Sequence, residues 1–260
     1  MVVEIEHQNN GVALMRITQI AARNTFNPNS MAQIADSLEG LMADSSVRAV
    51  VLTGEENFFC AGADIEGFEK AIKSNEIVDL IHQLTDRLHP LIIGMRRSST
   101  IMIAAINGAA AGGGLGLALA CDVRIACPEA KLAAAYARLG LSPDGGTTWL
   151  LPRLVGEQTA RRFILENEVW DGQTAFEFGA IDEIVSSKNL IEHSINVASK
   201  LGNLAEHTRE ATKHLFDLQS TQDLETHLHH ERLLIKAAGI TTDFNEGVKS
   251  FLEKREPKFN

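Results

Sequence analysis

The sequence predicts an α/β fold, and three observations lead to that prediction. Short apolar runs at residues 47–52, 101–106 and 122–126 have the length and composition of buried strands. Segments with helical spacing of apolar residues alternate with these runs, first at residues 28–41 and then at about 64–95. The last third of the chain shows mainly helical patterns. Strands that alternate with helices along a chain are typical of α/β proteins.

The two ends of the chain carry their own signals. Residues 1–18 alternate apolar and polar around Asn-Asn-Gly, which indicates an opening β-hairpin. Asn27 followed by Pro28 is typical of a helix start, and Pro90 is expected to kink or break the long helix. The later helical patterns lie at residues 159–166, 174–178, 189–201, 209–219, 223–238 and 245–254. We therefore predict an α/β core at 1–200 and a helical C-terminal region at 201–260, without a clear linker.

Composition excludes several classes of protein. The 260 residues are 45% hydrophobic and 22% charged, which is typical of a soluble globular protein with a sizeable core. A net charge of -10 disfavours nucleic acid and anionic membranes as partners, and no apolar run approaches the ~18 residues of a membrane span. Three cysteines and the lack of a signal-peptide pattern favour a cytoplasmic protein.

Two segments rich in small residues are candidates for chemistry. Residues 58–65 read Phe-Phe-Cys-Ala-Gly-Ala-Asp-Ile, and residues 107–116 read Asn-Gly-Ala-Ala-Ala-Gly-Gly-Gly-Leu-Gly. Without bulky side chains, backbone N–H groups can approach a ligand oxygen closely, although an ordinary strand-to-helix turn is the alternative for the first segment. The second segment fits neither a P-loop nor a dinucleotide fingerprint. A helix N-terminus that favours developing negative charge remains.

Together, the two segments resemble the paired oxyanion-hole motifs of the crotonase (enoyl-CoA hydratase/isomerase) superfamily. Further segments agree with that family in order and approximate spacing, and they lie at residues 47–54, 103–108, 121–122, 140–146, 151–156 and 246–254. The resemblance covers nearly the whole chain. It implies a crotonase-like spiral of ββα units, a helical C-terminal region used in trimerisation, and a homotrimer or dimer of trimers. It also implies an acyl-CoA thioester substrate and no separate cofactor.

Carried over by position, the resemblance implies catalytic residues. The backbone N–H groups of Ala63 and Gly113 are expected to hold the thioester oxygen and stabilise an enolate. Hydratases of this family activate water with two glutamates, but the corresponding residues here are Gly116 and Tyr136, which have no carboxylate. Asp144, within Pro-Asp-Gly-Gly, is then the expected acid/base. A turn aspartate that bonds its own loop is the alternative.

Other residues are expected to bind the substrate. The resemblance implies contacts with the acyl-CoA at Ala61, Asp64, Ile65, Gly112, Tyr136, Trp149, Phe251 and Lys254. Tyr136 and Trp149 would line the acyl pocket, with ordinary core packing as the alternative. Phe251 and Lys254 would meet the adenine end from the C-terminal helix, often across a subunit boundary, with a solvated helix end as the alternative.

Two groups of histidines are given no functional role. The densest group of potential metal ligands consists of His227, His229, His230 and Glu231, and we interpret it as a solvated helix face rather than a metal site. His82 and His89 lie on the long helix near the expected pocket wall. A dehalogenase-like member of the family places a histidine base on that helix, but the corresponding residue here is predicted to be Leu88.

The expected activity is therefore enoyl-CoA double-bond isomerisation with a single aspartate. Residues 139–153 most resemble the isomerases of phenylacetate degradation. Enoyl-CoA hydration, thioester hydrolysis and dehalogenation are alternatives within the family, and a non-enzymatic CoA-binding protein is an alternative outside catalysis.

Overall fold

Two β-sheets with associated helices make up the protein in the computed structural model, which describes residues 2–18 and 23–259. The strands are β1 (Val3–His7), β2 (Val12–Ile17), β3 (Ala49–Thr53), β4 (Phe58–Cys60), β5 (Ile101–Ile106), β6 (Ala109–Ala111), β7 (Val123–Ala126), β8 (Lys131–Ala133), β9 (Val169–Asp171) and β10 (Glu183–Ile184). The helices are α1 (Pro28–Ala43), α2 (Ile65–Ser74), α3 (Ile77–Arg97), α4 (Gly113–Ala120), α5 (Thr147–Val155), α6 (Glu157–Leu165), α7 (Gly172–Glu177), α8 (Leu190–Gly202), α9 (Glu206–Leu218), α10 (Leu224–Ala238) and α11 (Thr242–Glu253). The predicted α/β class is confirmed.

The larger sheet contains the strands that the apolar runs predict. Its order is β1-β2-β3-β5-β7-β10, with β1 and β2 antiparallel and the remaining neighbours parallel. Every residue of β3 and β5 is buried. Continuous apolar runs are what parallel strands covered on both faces require.

The smaller sheet consists of strands of three residues that the sequence did not reveal. Its order is β4-β6-β8-β9, and β4, β6 and β8 are mutually parallel. The chain visits the two sheets alternately, since β3, β5 and β7 belong to the larger sheet and each is followed by a strand of the smaller one. Such short strands show no measurable periodicity, because three residues cannot establish a period of two. The alternation produces the expected spiral of ββα units.

Helix α1 begins where the sequence predicts it. The Asn27 side chain accepts a hydrogen bond from the Ser30 N–H at 2.9 Å, and the Ser30 hydroxyl accepts one from the Asn27 N–H at 2.8 Å. This reciprocal cap satisfies two N–H groups that have no partner within the helix. One face of α1 is buried and carries Met31, Ile34, Ala35, Leu38 and Leu41.

Pro90 does not break the helix, so that part of the prediction of a kink or break is wrong. The long helical segment divides instead at Asn75, which adopts a left-handed conformation (φ 60°) and caps α2 with its N–H on the carbonyls of Ala71 and Ile72. Pro90 lies within α3 and is exposed. Solvent can therefore satisfy the carbonyl one turn earlier that a proline cannot bond.

From Glu206 onward the described chain is built from α9, α10 and α11. The side chains of α10 are largely exposed, among them Leu224 at 72% and Ile235 at 73%. Ile240, just after the helix, is 89% exposed. Among the described residues, no helix has a stretch that is both long and apolar enough to cross a membrane. The three cysteines are buried free thiols.

Candidate active site

The two segments rich in small residues meet at one edge of the smaller sheet. Strand β4 pairs in parallel with β6, and Cys60 lies opposite Ala110. Ala63 and Gly113 each follow these partners by three residues, so they leave the carboxyl ends of neighbouring strands at the same height. A ligand site at the carboxyl ends of parallel strands is common in α/β proteins.

The Ala63 N–H points away from Phe26, the residue with which Ala63 forms a β-bridge. Phe26 forms a parallel bridge with Ala63: its N–H donates to the Gly62 carbonyl at 2.7 Å, and its carbonyl accepts the Asp64 N–H at 3.0 Å. Because successive N–H groups of an extended chain point in opposite directions, the N–H of Ala63 is turned away from Phe26. Within the described part of the chain, it donates to no protein acceptor.

The Gly113 N–H is the first of helix α4. No acceptor inside the helix is available to it, as for all N–H groups of a first helical turn. Gly112, the residue before, has a left-handed φ of 53° and donates its own N–H to the Ala133 carbonyl at 3.1 Å. An unpaired donor and the positive end of the helix dipole thus coincide at Gly113.

The close approach of the two segments explains their glycines. A Cβ atom on Gly62 would lie 2.6 Å from the Ala111 carbonyl oxygen and 3.4 Å from the Gly113 nitrogen. Gly62 also has a φ of 82°, a conformation that side chains disfavour. A Cβ atom on Gly114 would lie 2.2 Å from the Cys60 carbonyl oxygen. Only glycine lets the two backbones approach this closely at positions 62 and 114.

Asn24 stabilises the first small-residue segment through hydrogen bonds. Its side chain is fully buried and donates to the Phe58 carbonyl at 2.8 Å, while its carbonyl accepts the thiol of Cys60 at 3.0 Å. Burial raises the pKa of the Cys60 thiol to about 12. Cys60 is therefore a neutral packing residue and not a nucleophile.

Residues 144–146 form a loop that lies directly on the first turn of α4. A Cβ atom on Gly145 would be 3.6 Å from the Cα atoms of both Gly113 and Gly116, and 3.6 Å from the Leu88 side chain. The loop therefore packs Gly145, the residue after Asp144, against the first turn of α4. It also fills the space next to Gly116, where a Cβ atom would lie 2.2 Å from the Gly145 carbonyl oxygen.

Tyr136 contacts Asp144 directly. The phenol donates to the Asp144 Oδ1 at 2.9 Å and lies 3.2 Å from its main-chain carbonyl oxygen. Burial, and secondarily the negative charge of Asp144, raise the pKa of the Tyr136 phenol. The phenol therefore remains a protonated donor near neutral pH. Tyr136, which the sequence predicts as a substrate contact, is also a partner of the predicted acid.

His89 is a neighbour of Asp144, although the sequence predicts Leu88 at the position that corresponds to the histidine base of a dehalogenase-like member. Its Nε2 lies 3.7 Å from the Asp144 Oδ2 and accepts the Gly145 N–H at 3.4 Å. The Leu88 side chain packs on Gly113 together with Phe26 and also borders Gly145, but no contact joins it to the Asp144 carboxylate. Consecutive residues of α3 thus face different parts of the site, and only the position of the 144–146 loop distinguishes them.

The other predicted residues of the small-residue segments take part in backbone hydrogen bonds and in the capping of α2. The Ala61 N–H donates to the Arg23 carbonyl at 3.3 Å. The Asp64 carboxylate caps α2 by accepting the Glu66 N–H at 3.1 Å, and Ile65 is the half-exposed first residue of that helix.

The predicted residues outside these segments are less close to the donors. Trp149 lines a cleft of about 370 Å³ between α3, α5 and α9 that begins at Gly146, and Arg153 stacks on its ring at 3.4 Å. Phe251 is 83% exposed and lines a separate groove with α9 and Phe259, and Lys254 ends α11. The structure of the single chain does not bring Phe251 or Lys254 to the two donors.

Comparison with known proteins identifies the family of the chain. The family profile described as Enoyl-CoA hydratase/isomerase matches residues 7–260. A 1,2-epoxyphenylacetyl-CoA isomerase from Escherichia coli is 32% identical over 98% of this chain and 97% of its own. A 2,3-dehydroadipyl-CoA hydratase from the same organism is 33% identical over 95% and 94%.

A solved structure supports the same assignment. The crystal structure of an enoyl-CoA hydratase from Bacillus anthracis matches 100% of this chain and 99% of its own, with a TM-score of 0.92 and 27% identity. The fold expected from the resemblance is thereby confirmed. The chain belongs to the enoyl-CoA hydratase/isomerase family and is a crotonase-type enzyme that acts on acyl-CoA thioesters.

Proposed function

We propose that this enzyme is an enoyl-CoA double-bond isomerase in which Asp144 is the only acid/base. The observation that carries the proposal is the contact between Gly116 and the 144–146 loop. The family's hydratases have their first glutamate at the position of Gly116, where the Gly145 carbonyl oxygen leaves no room for a side chain. The second glutamate position holds Tyr136, whose phenol is already bonded to Asp144.

Isomerisation needs one base near the thioester, whereas hydration in this family uses two carboxylates that activate a water molecule. In the proposed reaction, the carbonyl oxygen of a 3-enoyl-CoA accepts hydrogen bonds from the N–H groups of Ala63 and Gly113. Asp144 removes a proton from C2, and the electrons of that C–H bond form a dienolate whose charge the two donors stabilise. The protonated Asp144 then delivers the same proton to C4, which yields the conjugated 2-enoyl-CoA. The proposed reaction uses no cofactor other than the CoA that is part of the substrate.

A direct assay tests this proposal. Purified enzyme is mixed with a 3-enoyl-CoA, and the absorbance of the conjugated thioester is followed, with product mass checked for added water. We expect conjugation without water addition. Asp144→Asn should lower kcat by about 10²–10⁴-fold, the usual contribution of a general base. A rate within a few-fold of the parent enzyme would rule out the one-base mechanism.

Hydration is the outcome that would replace isomerisation. If the 2-enoyl-CoA gained the mass of water at a rate comparable to conjugation, a water-activating group other than the two glutamates would have to exist. Incubation of the enzyme with 2-enoyl-CoA in ¹⁸O-labelled water gives the necessary control, since label enters the intact acyl-CoA only on hydration, whereas hydrolysis labels the released acid.

A second candidate reaction is favoured by His89. The half-exposed imidazole of His89, with its Nε2 3.7 Å from the Asp144 Oδ2, can serve as a second acid/base beside the carboxylate once Nε2 releases the Gly145 N–H. Substitution at a halogenated aryl-CoA, or hydrolysis of the thioester, would use such a pair. Release of halide or of free CoA that is lost in His89→Gln would favour this reaction over isomerisation.

We further propose that the working form is a homotrimer or a dimer of trimers. The exposed apolar side chains of α10 and α11, among them Ile235, Leu252 and Phe251, support association through the C-terminal region. Sedimentation velocity measures the assembly mass directly. Charged substitutions at Ile235 and Leu252 should shift the protein toward smaller species.

A further inference from the structure

The two oxygens of the Asp144 carboxylate have different environments. Oδ1 accepts the Tyr136 phenol at 2.9 Å. Oδ2 lies on the side of His89, 3.7 Å from Nε2, beyond hydrogen-bond distance. Because Nε2 accepts the Gly145 N–H at 3.4 Å, that nitrogen presents a lone pair there and no proton to Oδ2. Within the described residues, Oδ2 is the free oxygen of the pair.

The backbone before Tyr136 is held in an unusual conformation that directs the phenol. Ala135 has a φ of 64°, a left-handed conformation that L-residues other than glycine seldom adopt. The turn follows β8, whose last residue, Ala133, lies opposite Ala111 and accepts the Gly112 N–H. Tyr136 therefore leaves the same sheet edge as the oxyanion donors. Backbone strain of this kind is retained at functional sites when it positions a side chain.

We propose that Tyr136 is a positioning residue that holds Oδ1 of Asp144 and reserves Oδ2 as the single atom that carries the proton between C2 and C4. This inference rests on the proposed isomerisation and adds the role of Tyr136 to it. The C2–H bond breaks toward Oδ2, its electrons enter the dienolate, and the new O–H bond at Oδ2 later breaks toward C4. The phenol proton stays on Tyr136 throughout, so the sum of protons is unchanged.

The anchor has a physical consequence because the Asp144 side chain is not sealed from water. It is 34% exposed in the single chain. A free carboxylic acid could rotate and exchange its proton with solvent before reaching C4. With Oδ1 bonded to a buried phenol, rotation costs that hydrogen bond, and the proton on Oδ2 remains over the dienolate.

The first test is a Tyr136→Phe variant assayed with 3-enoyl-CoA that carries two deuterium atoms at C2. In the parent enzyme, we expect part of the abstracted deuterium to appear at C4 of the product. In Tyr136→Phe that fraction should fall, and kcat should drop about tenfold with KM within about twofold, since a hydrogen bond to a charged group is lost. A parent enzyme with no deuterium at C4, or a variant with the parent's fraction, would overturn the proposal.

The pH dependence gives a second readout. Removing a donor from a carboxylate destabilises its charged form, so the acid limb of kcat/KM should move to higher pH in Tyr136→Phe by about one unit. Thr53→Val serves as the matched control. It removes another buried hydroxyl, which bonds the Ala105 carbonyl at 2.8 Å, and should reduce stability without moving the acid limb. Equal pH profiles for the parent and Tyr136→Phe would contradict the positioning role.

A non-perturbing replacement covers the case in which Tyr136→Phe does not fold. Tyr136 is the only tyrosine in the chain, so biosynthetic labelling with 3-fluorotyrosine modifies this position alone. The fluorinated phenol is a stronger donor of nearly equal size. It should move the acid limb to lower pH, opposite to the phenylalanine variant. A shift in the same direction for both replacements would contradict the proposal.

A spectroscopic experiment separates this proposal from the proposed function. With ¹³C-labelled aspartate, the Asp144 carboxyl signal is identified by its loss in Asp144→Asn and followed against pH in the parent and Tyr136→Phe. A higher titration midpoint in Tyr136→Phe supports the anchor even if neither protein isomerises enoyl-CoA, in which case only the proposed reaction fails. An unchanged midpoint overturns the anchor whatever the activity.

Discussion

The carbonyl oxygen of Gly145 occupies the place where a side chain at Gly116 would begin, because a Cβ atom on Gly116 would lie 2.2 Å from it. This contact joins Gly116, in the first turn of α4, to the loop that carries Asp144. The two glycines, Gly116 and Gly145, are 29 residues apart in the sequence. The loop that carries Asp144 can lie this close to α4 only because position 116 has no side chain.

Gly116→Ala is therefore expected to damage both stability and activity. The added methyl group must displace backbone rather than a flexible side chain, which should cost roughly 3 kcal/mol of unfolding free energy and move Asp144. Gly40→Ala is the matched control, since a Cβ atom there meets nothing within 4 Å and the position is an exposed turn of α1. It should be neutral or stabilising by about 0.5–1 kcal/mol. Equal unfolding midpoints and rates for the two variants would contradict the close contact.

Gly62→Ala should disturb the proposed oxyanion donors. The new side chain must avoid the Ala111 carbonyl at 2.6 Å and adopt a φ of 82°, which would displace the following Ala63 N–H. Loss of one such donor typically lowers kcat by about 10²–10³-fold. Gly156→Ala tests backbone strain alone, because its φ is 81° and nothing lies within 4 Å of a Cβ atom. Steady-state kinetics should show a large loss of kcat for Gly62→Ala only.

The buried Lys213 should be essential for docking α9 on the core. Its ammonium group donates to the carbonyls of Met95 and Thr100 and to the Asp122 carboxylate, each at 2.9 Å. Lys213→Met leaves that carboxylate poorly compensated and should cost about 3–5 kcal/mol in denaturant unfolding. The added change Asp122→Asn should recover part of the loss, since it removes the buried charge.

A surface pair provides the control for this lysine. Lys73 pairs with Glu69 at 2.6 Å, but both side chains are largely exposed. Lys73→Met should therefore change the free energy of unfolding by less than about 1 kcal/mol. If both Lys→Met variants were equally stable, the Lys213 cluster would not hold α9 in place.

The C-terminal tail should loosen in acid. Arg255 donates to both oxygens of Glu246 at 2.6 and 2.9 Å, and the Lys258 N–H donates at 2.9 Å. The Arg255 hydrogen bonds, and then the Lys258 N–H, lower the pKa of Glu246 to about 2, from a usual value of 4.5. A depressed folded-state pKa means that this stabilisation is complete above about pH 4.5 and is lost as the pH falls toward about 2.

Thermal unfolding of the parent and Glu246→Gln between pH 7 and pH 3 tests that sign. The difference in midpoint should be constant near neutral pH and should narrow as the pH falls below about 4.5. A difference that widened in acid would mean that the charged form of Glu246 is not the stabilising one.

The sequence determined much of this protein by local physics. Runs such as residues 101–106 are short, apolar and rich in isoleucine, which favours a buried parallel strand, and the Asn27 cap defines the start of α1. The glycines of residues 112–114 also predicted a close backbone approach. The sequence wrongly allowed a helix break at Pro90. A proline on an exposed helix face destabilises the helix little when water can bond the freed carbonyl.

Tertiary structure decided what these local features do together. The short strands β4, β6 and β8 have no periodic signal, yet their parallel register brings Ala63, Gly113 and Tyr136 to one edge. The choice between His89 and Leu88 as the neighbour of Asp144 depends on where the 144–146 loop lies over α3. Such contacts join residues far apart in the chain, and their distances follow from the packing of whole elements rather than from the neighbours of each residue in sequence.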